Sequence, residues 1–397
     1  MTQDRLFLRS ALVAIFFAAT LSAEAESRAW TNNAGKTIQA ELVDVEGDKA
    51  VLNMNGNNFP VPINTLSEAN QEFIKNWKKS APSDSSGDAN IAGNWDSEWP
   101  KIVSADVSQD IEILKEDEAE AEGEYIYASD HYEFICDVKL NTSVVKRFSL
   151  LFEATNQFIR ELPIGMVKPF REERHKIHLF ESYTSYTSAG GPAGSAGVYI
   201  SRGGEGDILV PLTSLGVKKV GSNFSVDYDK ENTTLSHEIT HQITDKEYYA
   251  LGSRGWFTEG VSEYVAQSGY RSGKFNVNDL QKLKDYVTAY GEDGKGGRAL
   301  GDEFEAPNLE DFMTQDYGRF LENSMFNYGF AALVVYYYFH MDQEKDAANI
   351  KNFLKGLKEG KKIPEMYEPL LAGRSWDEME ADITKAWRSR GVRIRFK

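Results

Sequence analysis

His237-Glu238-Ile239-Thr240-His241 is the segment of this chain best equipped for chemistry. On an α-helix, residues four apart lie on one face about one turn apart, so both imidazoles can aim nitrogens at a single ion. Glu238 is displaced by about 100° around the same helix and can reach a water activated by that ion, where a carboxylate serves as general base. With six histidines in 397 residues the pattern seldom arises by chance. The competing reading is a pair of ordinary buried histidines in a core helix.

A zinc site built for hydrolysis needs a third protein ligand and one open position for water. Glu259 stands 18 positions after His241, in Trp256-Phe257-Thr258-Glu259-Gly260-Val261-Ser262-Glu263-Tyr264. If that segment is the next helix, Glu259 and Glu263 face the same way, one turn apart. Glu259 can then complete a set of two histidines and one glutamate, while Glu263 accepts a hydrogen bond from a ligating imidazole and sets its tautomer. Two neutral imidazoles and one carboxylate leave Zn2+ with a residual positive charge, which favours hydroxide and a tetrahedral oxyanion. Such an oxyanion often uses a further donor. Tyr328, in Asn327-Tyr328-Gly329, is the candidate, set against a plain core role in a chain with 19 tyrosines.

These two segments resemble the gluzincin metallopeptidases, particularly the peptidase-MA-like group, whose zinc helix is followed by a Trp-x-x-Glu-Gly-x-x-Glu-Tyr-type helix. The resemblance implies His237, His241 and Glu259 as zinc ligands, Glu238 as general base and Glu263 as the carboxylate behind a ligand. It implies an α+β fold, a mixed sheet with a helical C-terminal half. A weaker likeness, through Ala196-Gly197-Val198-Tyr199 ahead of the zinc helix, extends back to about residue 130. No Gly-x-Met-Glu-Asn segment is present, which disfavours aminopeptidase action. Thr244 and Glu247 stand where metzincins carry glycine and histidine; Thr258 and Glu263 replace the Asn and Asp of the thermolysin version.

The elements that must position these residues form a mixed pattern. Strands are expected at 132–138, 176–180, 197–201 and 208–212, and Phe148, Leu151, Phe152, Phe158 and Ile159 mark one face of an amphipathic helix. From about 232 onward the periodic stretches are helical, at 279–290, 326–339, 347–357 and 377–387. Val198–Ser201 is the candidate sheet edge for an extended peptide substrate. His131, His175, His178 and His340 lack ligand spacing and are assigned surface or core roles. Glu116–Glu124 is taken as a solvated acidic face.

Ahead of this domain, assigned to 96–397, residues 80–95 have a linker's composition. Residues 26–79 carry short strands, an Asn55-Gly56 hairpin signal and a helix capped by Ser67. Trp30, Gly35, Ala40, Leu52, Gly56, Val61-Pro62, Leu66-Ser67, Gln71 and Phe73 resemble the SLA-type homology domain. That resemblance implies a small SH3-like β-barrel with a binding or spacing role, with a cell-envelope partner as its candidate ligand. Residues 1–25 have the arginines, apolar run and Ala23-Glu24-Ala25 of a cleaved signal peptide, so a periplasmic or extracellular location is expected.

The net charge of −17 disfavours binding to nucleic acid or to an anionic membrane surface. No stretch of the mature chain is apolar enough in sequence to insert in a bilayer. Cys136, the single cysteine, excludes an internal disulfide and is expected to be an inert buried thiol. Together these readings point to an exported zinc-dependent peptidase acting on peptides or proteins, by endopeptidase action. The alternatives are a catalytically silent metallopeptidase-like binding protein of the cell envelope and an exported scaffold without metal.

Overall fold

The computed structural model describes residues 28–80 and 95–397, less short stretches of which 117–123 and 290–296 are the longest. The expected signal peptide (1–25), most of the linker, and the Asn55-Gly56 turn lie outside the described residues, as do 117–123 of the acidic run. The chain divides into two compact units, Met1–Gly87 and Asp88–Lys397.

In the first unit, β1 (Arg28–Thr31), β2 (Thr37–Glu46), β3 (Lys49–Met54) and β4 (Asn57–Pro62) form an antiparallel sheet in chain order, followed by α1 (Glu68–Ser80). Trp30, Leu42, Ala50 and Leu52 pack with Leu66 and Ile74 into its own small core, and the Trp30 indole N–H donates to the Ala40 carbonyl at 2.9 Å. The closed barrel expected here is not what the described strands form; they make an open meander with β1 and β4 at its two edges. Pro60 and Pro62 in β4 have no N–H to donate to a closing partner, and β1 is only four residues long. An isolated bridge, Asn32 to Leu66, is the link across the gap.

The second unit is mixed α and β. It begins with β5 (Ile102–Ser104), β6 (Glu112–Glu116), β7 (Tyr125–Ala128), β8 (Tyr132–Cys136), α2 (Thr142–Glu161) and β9 (His175–Phe180). Then come α3 (Tyr183–Ser188), β10 (Val198–Ile200), β11 (Asp207–Pro211) and the hairpin β12 (Val217–Val220) with β13 (Asn223–Val226). Six strands form one sheet in the order β10-β11-β9-β8-β7-β6, with β9 parallel to both its neighbours and the other pairs antiparallel. Burial alternates along β8, with Tyr132, Phe134 and Cys136 turned inward, as a period of two requires. Phe148 and Phe152 of α2 close on Phe134 at ring separations of 5.1 and 5.3 Å.

The helical half contains α4 (Thr233–Ile243), α5 (Gly255–Gln267), α6 (Leu280–Thr288), α7 (Leu309–Thr314), α8 (Tyr317–Glu322), α9 (Ser324–His340), α10 (Ala348–Lys358), α11 (Glu368–Leu371) and α12 (Trp376–Arg388). Strands also occur here that the sequence pattern does not suggest. β14 (Gly269–Arg271) and β15 (Lys274–Asn276) join β5, and β16 (Glu303–Ala306) lies parallel to β17 (Arg393–Phe396). At three or four residues each they are too short to display a period. Every residue of α5 is buried, and α9 is buried continuously from Gly329 to Phe339. A helix apolar all round, as α9 is over that stretch, belongs in a core. Among the described residues no helix is long and apolar enough to cross a membrane.

Helices α5 and α9 meet backbone to backbone at Gly260, where a Cβ would lie 2.7 Å from the Ala331 carbonyl oxygen and 2.7 Å from a Val335 methyl. Gly260→Ala should therefore destabilise the protein by about 1–3 kcal/mol through overpacking, although alanine is the better helix former by about 1 kcal/mol. The sign of the change in a denaturant titration is the check, and a stabilised variant would refute the close approach.

Candidate metal centre

The first side chains of the centre come from α4, whose C-terminal end is tied to neighbouring backbone. The Lys168 N–H donates to the Ile243 carbonyl at 2.9 Å, the Asp245 N–H to the Met166 carbonyl at 2.8 Å, and the Gln242 amide to the Gly206 carbonyl at 3.2 Å. The face carrying Leu235, Ile239 and Ile243 is buried. His237 and His241 project from this helix toward α5.

Glu259 and Glu263, one turn apart on α5, are both almost fully buried, at 3% and 2% exposure. The His237 Nε2, His241 Nε2 and Glu259 Oε2 atoms form a near-equilateral triangle with sides of 3.0, 3.1 and 3.2 Å. Those three residues are the one set of potential ligands that converge among the described residues. Two imidazole nitrogens and one carboxylate oxygen are the donor set that would hold a catalytic zinc ion, which would supply an acidified water at the position the protein leaves open. The residues therefore fit a tetrahedral zinc ion with one position left for water.

Both imidazoles have a partner on their other nitrogen. His237 Nδ1 lies 3.4 Å from Glu263 Oε1. His241 Nδ1 lies 3.4 Å from the Ser262 hydroxyl, which donates to the Thr258 carbonyl at 2.9 Å and so has lone pairs to accept the ring N–H. With the proton held on Nδ1, each ring offers its Nε2 lone pair to an ion.

Glu263 is balanced by Arg298, whose guanidinium Nη2 donates to Glu263 Oε1. Glu259 is different, because among the described residues the charged groups that face it are the two imidazoles, neither of them a permanent cation. Burial alone would lower the His237 pKa, but Glu259 and Glu263 outweigh it and hold the imidazole well above its ordinary value. Burial alone would raise the Glu259 pKa, but His241 and His237 outweigh it and hold the carboxyl well below the ordinary range. In the metal-free chain at neutral pH the two thus form an imidazolium–carboxylate pair. The stability from raising His237 is fully present below the ordinary histidine pKa and is lost as pH rises through the folded value.

A metal ion bound at this point would have to displace that proton, so its affinity should fall as pH is lowered, and binding near pH 7 should release about one proton. Calorimetric titrations in buffers of differing ionisation heat check this; an apparent enthalpy independent of buffer would contradict it.

Glu238 does not join the triangle. Its Oε2 accepts the backbone N–H of Tyr199 at 2.8 Å, which places the carboxylate beside β10, the edge of the six-stranded sheet. The candidate edge at Val198–Ser201 therefore already has the Tyr199 N–H engaged. Tyr328, on α9, lays its ring parallel to His237 at a centroid separation of 5.9 Å, with the Arg298 guanidinium carbon 4.8 Å from the ring centre. Burial pushes its phenol far up, with Glu259 adding to the effect, so it stays protonated as a donor.

Two contributors, Arg298 and Tyr317, escape a reading of the sequence. The Tyr317 hydroxyl donates to Glu259 Oε1 at 2.8 Å across 58 positions of chain, and Arg298 reaches Glu263 across 35. No spacing rule connects either residue to the His237 motif. The remaining histidines stay outside the centre. His131 bonds Glu153 at 2.6 Å, His178 bonds Asp207 at 2.9 Å, and His340 is pushed down to about 3 by burial beside the Tyr264 hydroxyl. Burial raises the Cys136 thiol pKa far above neutrality, which leaves it inert. No family model matches the chain, and no curated protein matches it in sequence.

Proposed function

We propose that this chain is an exported zinc-dependent peptidase of gluzincin type that hydrolyses peptide bonds, with His237, His241 and Glu259 as ligands and Glu238 as general base. The observation that carries the reading is a buried carboxylate oxygen, that of Glu259, sharing one point with two imidazole nitrogens, beside a second carboxylate that stays clear of that point. When bound, zinc supplies a water acidified to near neutrality and polarises the scissile carbonyl.

The protein's own groups divide the remaining work. Glu238 takes the proton of the attacking water and returns it to the leaving amine. Glu263, kept ionised by Arg298, holds the His237 ring in the ligating tautomer. Tyr328 and Tyr317 supply phenolic donors next to Glu259, and Tyr328 is the assigned donor to the oxyanion. The edge strand β10 lines up an extended peptide or protein substrate beside Glu238 through backbone groups other than the Tyr199 N–H, which Glu238 engages. The N-terminal module engages a cell-envelope partner in the periplasm or outside the cell.

The test is metal analysis of the purified chain, followed by digestion of a diverse peptide library before chelation, after chelation and after return of zinc. One zinc per chain, with cleavage lost and then restored, supports the proposal. A chain without stoichiometric metal removes it. Zinc without cleavage would favour a binding protein built on a peptidase scaffold.

A further inference from the structure

The two oxygens of Glu259 have different surroundings. Oε2 faces the imidazole nitrogens at 3.1 and 3.2 Å, whereas Oε1 accepts the Tyr317 hydroxyl at 2.8 Å. Tyr317 is the outermost residue of the group, 42% exposed, yet its hydroxyl reaches a carboxylate that is almost fully buried. That placement is built rather than incidental. Tyr317 opens α8, where the Asp316 side chain accepts the Arg319 N–H at 2.8 Å and caps the helix. Its ring lies parallel to that of buried Phe320, with centroids 6.1 Å apart. The Phe320 carbonyl accepts the Asn327 amide at 2.6 Å, which ties α8 to α9. Phe320 in turn sits against Gly255 of α5, where a Cβ would meet its ring at 2.5 Å.

We propose that Tyr317 is a positioning residue that restricts Glu259 to bonding the metal through Oε2 alone, and so preserves an open coordination position. A carboxylate with both oxygens free can swing and bind in two-pronged fashion, filling the position a water needs. A donated O–H on Oε1 opposes that rotation, because it would have to be broken. The inference rests on the metal reading above, and concerns how one ligand is held rather than whether an ion binds.

The experiment compares the full chain with Tyr317→Phe, which keeps the ring on Phe320 and removes the one hydroxyl. Zinc affinity is read by competition with a chromophoric chelator, and coordination by the visible spectrum of the cobalt(II)-substituted protein. Loss of an outer partner of this kind weakens metal affinity by about 10–100-fold. The variant should show that loss, and its cobalt bands should weaken as the coordination number rises. The thermal midpoint of the chelated form should be close to that of the parent chain, which separates the effect from misfolding. A parent chain that binds both ions, with a Tyr317→Phe variant matching it in affinity and spectrum, overturns this inference and leaves the metal reading intact. A parent chain that binds neither ion overturns both.

Discussion

Replacing Glu238 with glutamine is expected to lower peptide hydrolysis by about 10²–10⁴-fold while leaving one zinc per chain. The amide has nearly the same shape and can still accept the Tyr199 N–H through its oxygen, so the local structure should survive. It cannot take a proton from water. Because Glu238 lies outside the triangle of ligand atoms, its replacement should not disturb the ion. The contrast with Glu259→Gln matters here, since that change alters a proposed ligand and should reduce metal content and activity together. Paired metal analysis and cleavage of a quenched fluorescent peptide separate the two. Hydrolysis by Glu238→Gln at the parental rate would show that another group is the base or that the activity belongs to a contaminant.

Arg298→Ala should produce the largest loss of stability, about 3–5 kcal/mol, because it leaves the buried Glu263 carboxylate without its permanent cation. The ion pair is enclosed: the Arg298 side chain is 21% exposed and that of Glu263 only 3%. Burial raises the Glu263 pKa, but the His237 hydrogen bond and the Arg298 charge more than reverse this and keep the carboxyl ionised. Without Arg298, Glu263 would either pick up a proton or hold a charge in an apolar surround. Arg298 also spans the faces of Tyr328 and Tyr286, at 4.8 and 5.5 Å, so its loss loosens the packing behind His237 as well. The double variant Arg298→Met with Glu263→Gln should regain much of the loss, since removing both charges is far less costly than orphaning one. Denaturant unfolding of the parent, Arg298→Ala and the double variant is the measurement. A loss below about 1 kcal/mol in Arg298→Ala would mean that the pair is solvated rather than enclosed.

Several features of the centre were visible in the residues alone. Spacings of four between His237 and His241, and between Glu259 and Glu263, act within one helix, where geometry depends on local backbone angles and not on the rest of the fold. The same holds for α2, whose apolar face repeats over 20 residues, and for the alternation along β8. The barrel expectation failed for the opposite reason. Closing a sheet depends on pairing between its first and last strands, and a list of strand candidates and turns contains no record of that pairing.

What the sequence by itself determined is the chemistry available on each helix: two imidazoles and a carboxylate on α4, two carboxylates on α5. Only the tertiary structure decided that α4 and α5 present these faces to one point, that Glu263 finds Arg298, and that Glu259 is shared between the imidazoles and Tyr317. Those choices follow from how closely helices can approach. Gly260 lets α5 settle against α9, and Gly255 lets Phe320 and α8 close over α5. Such contacts are made between surfaces remote in sequence, through shapes that exist only once both helices have formed.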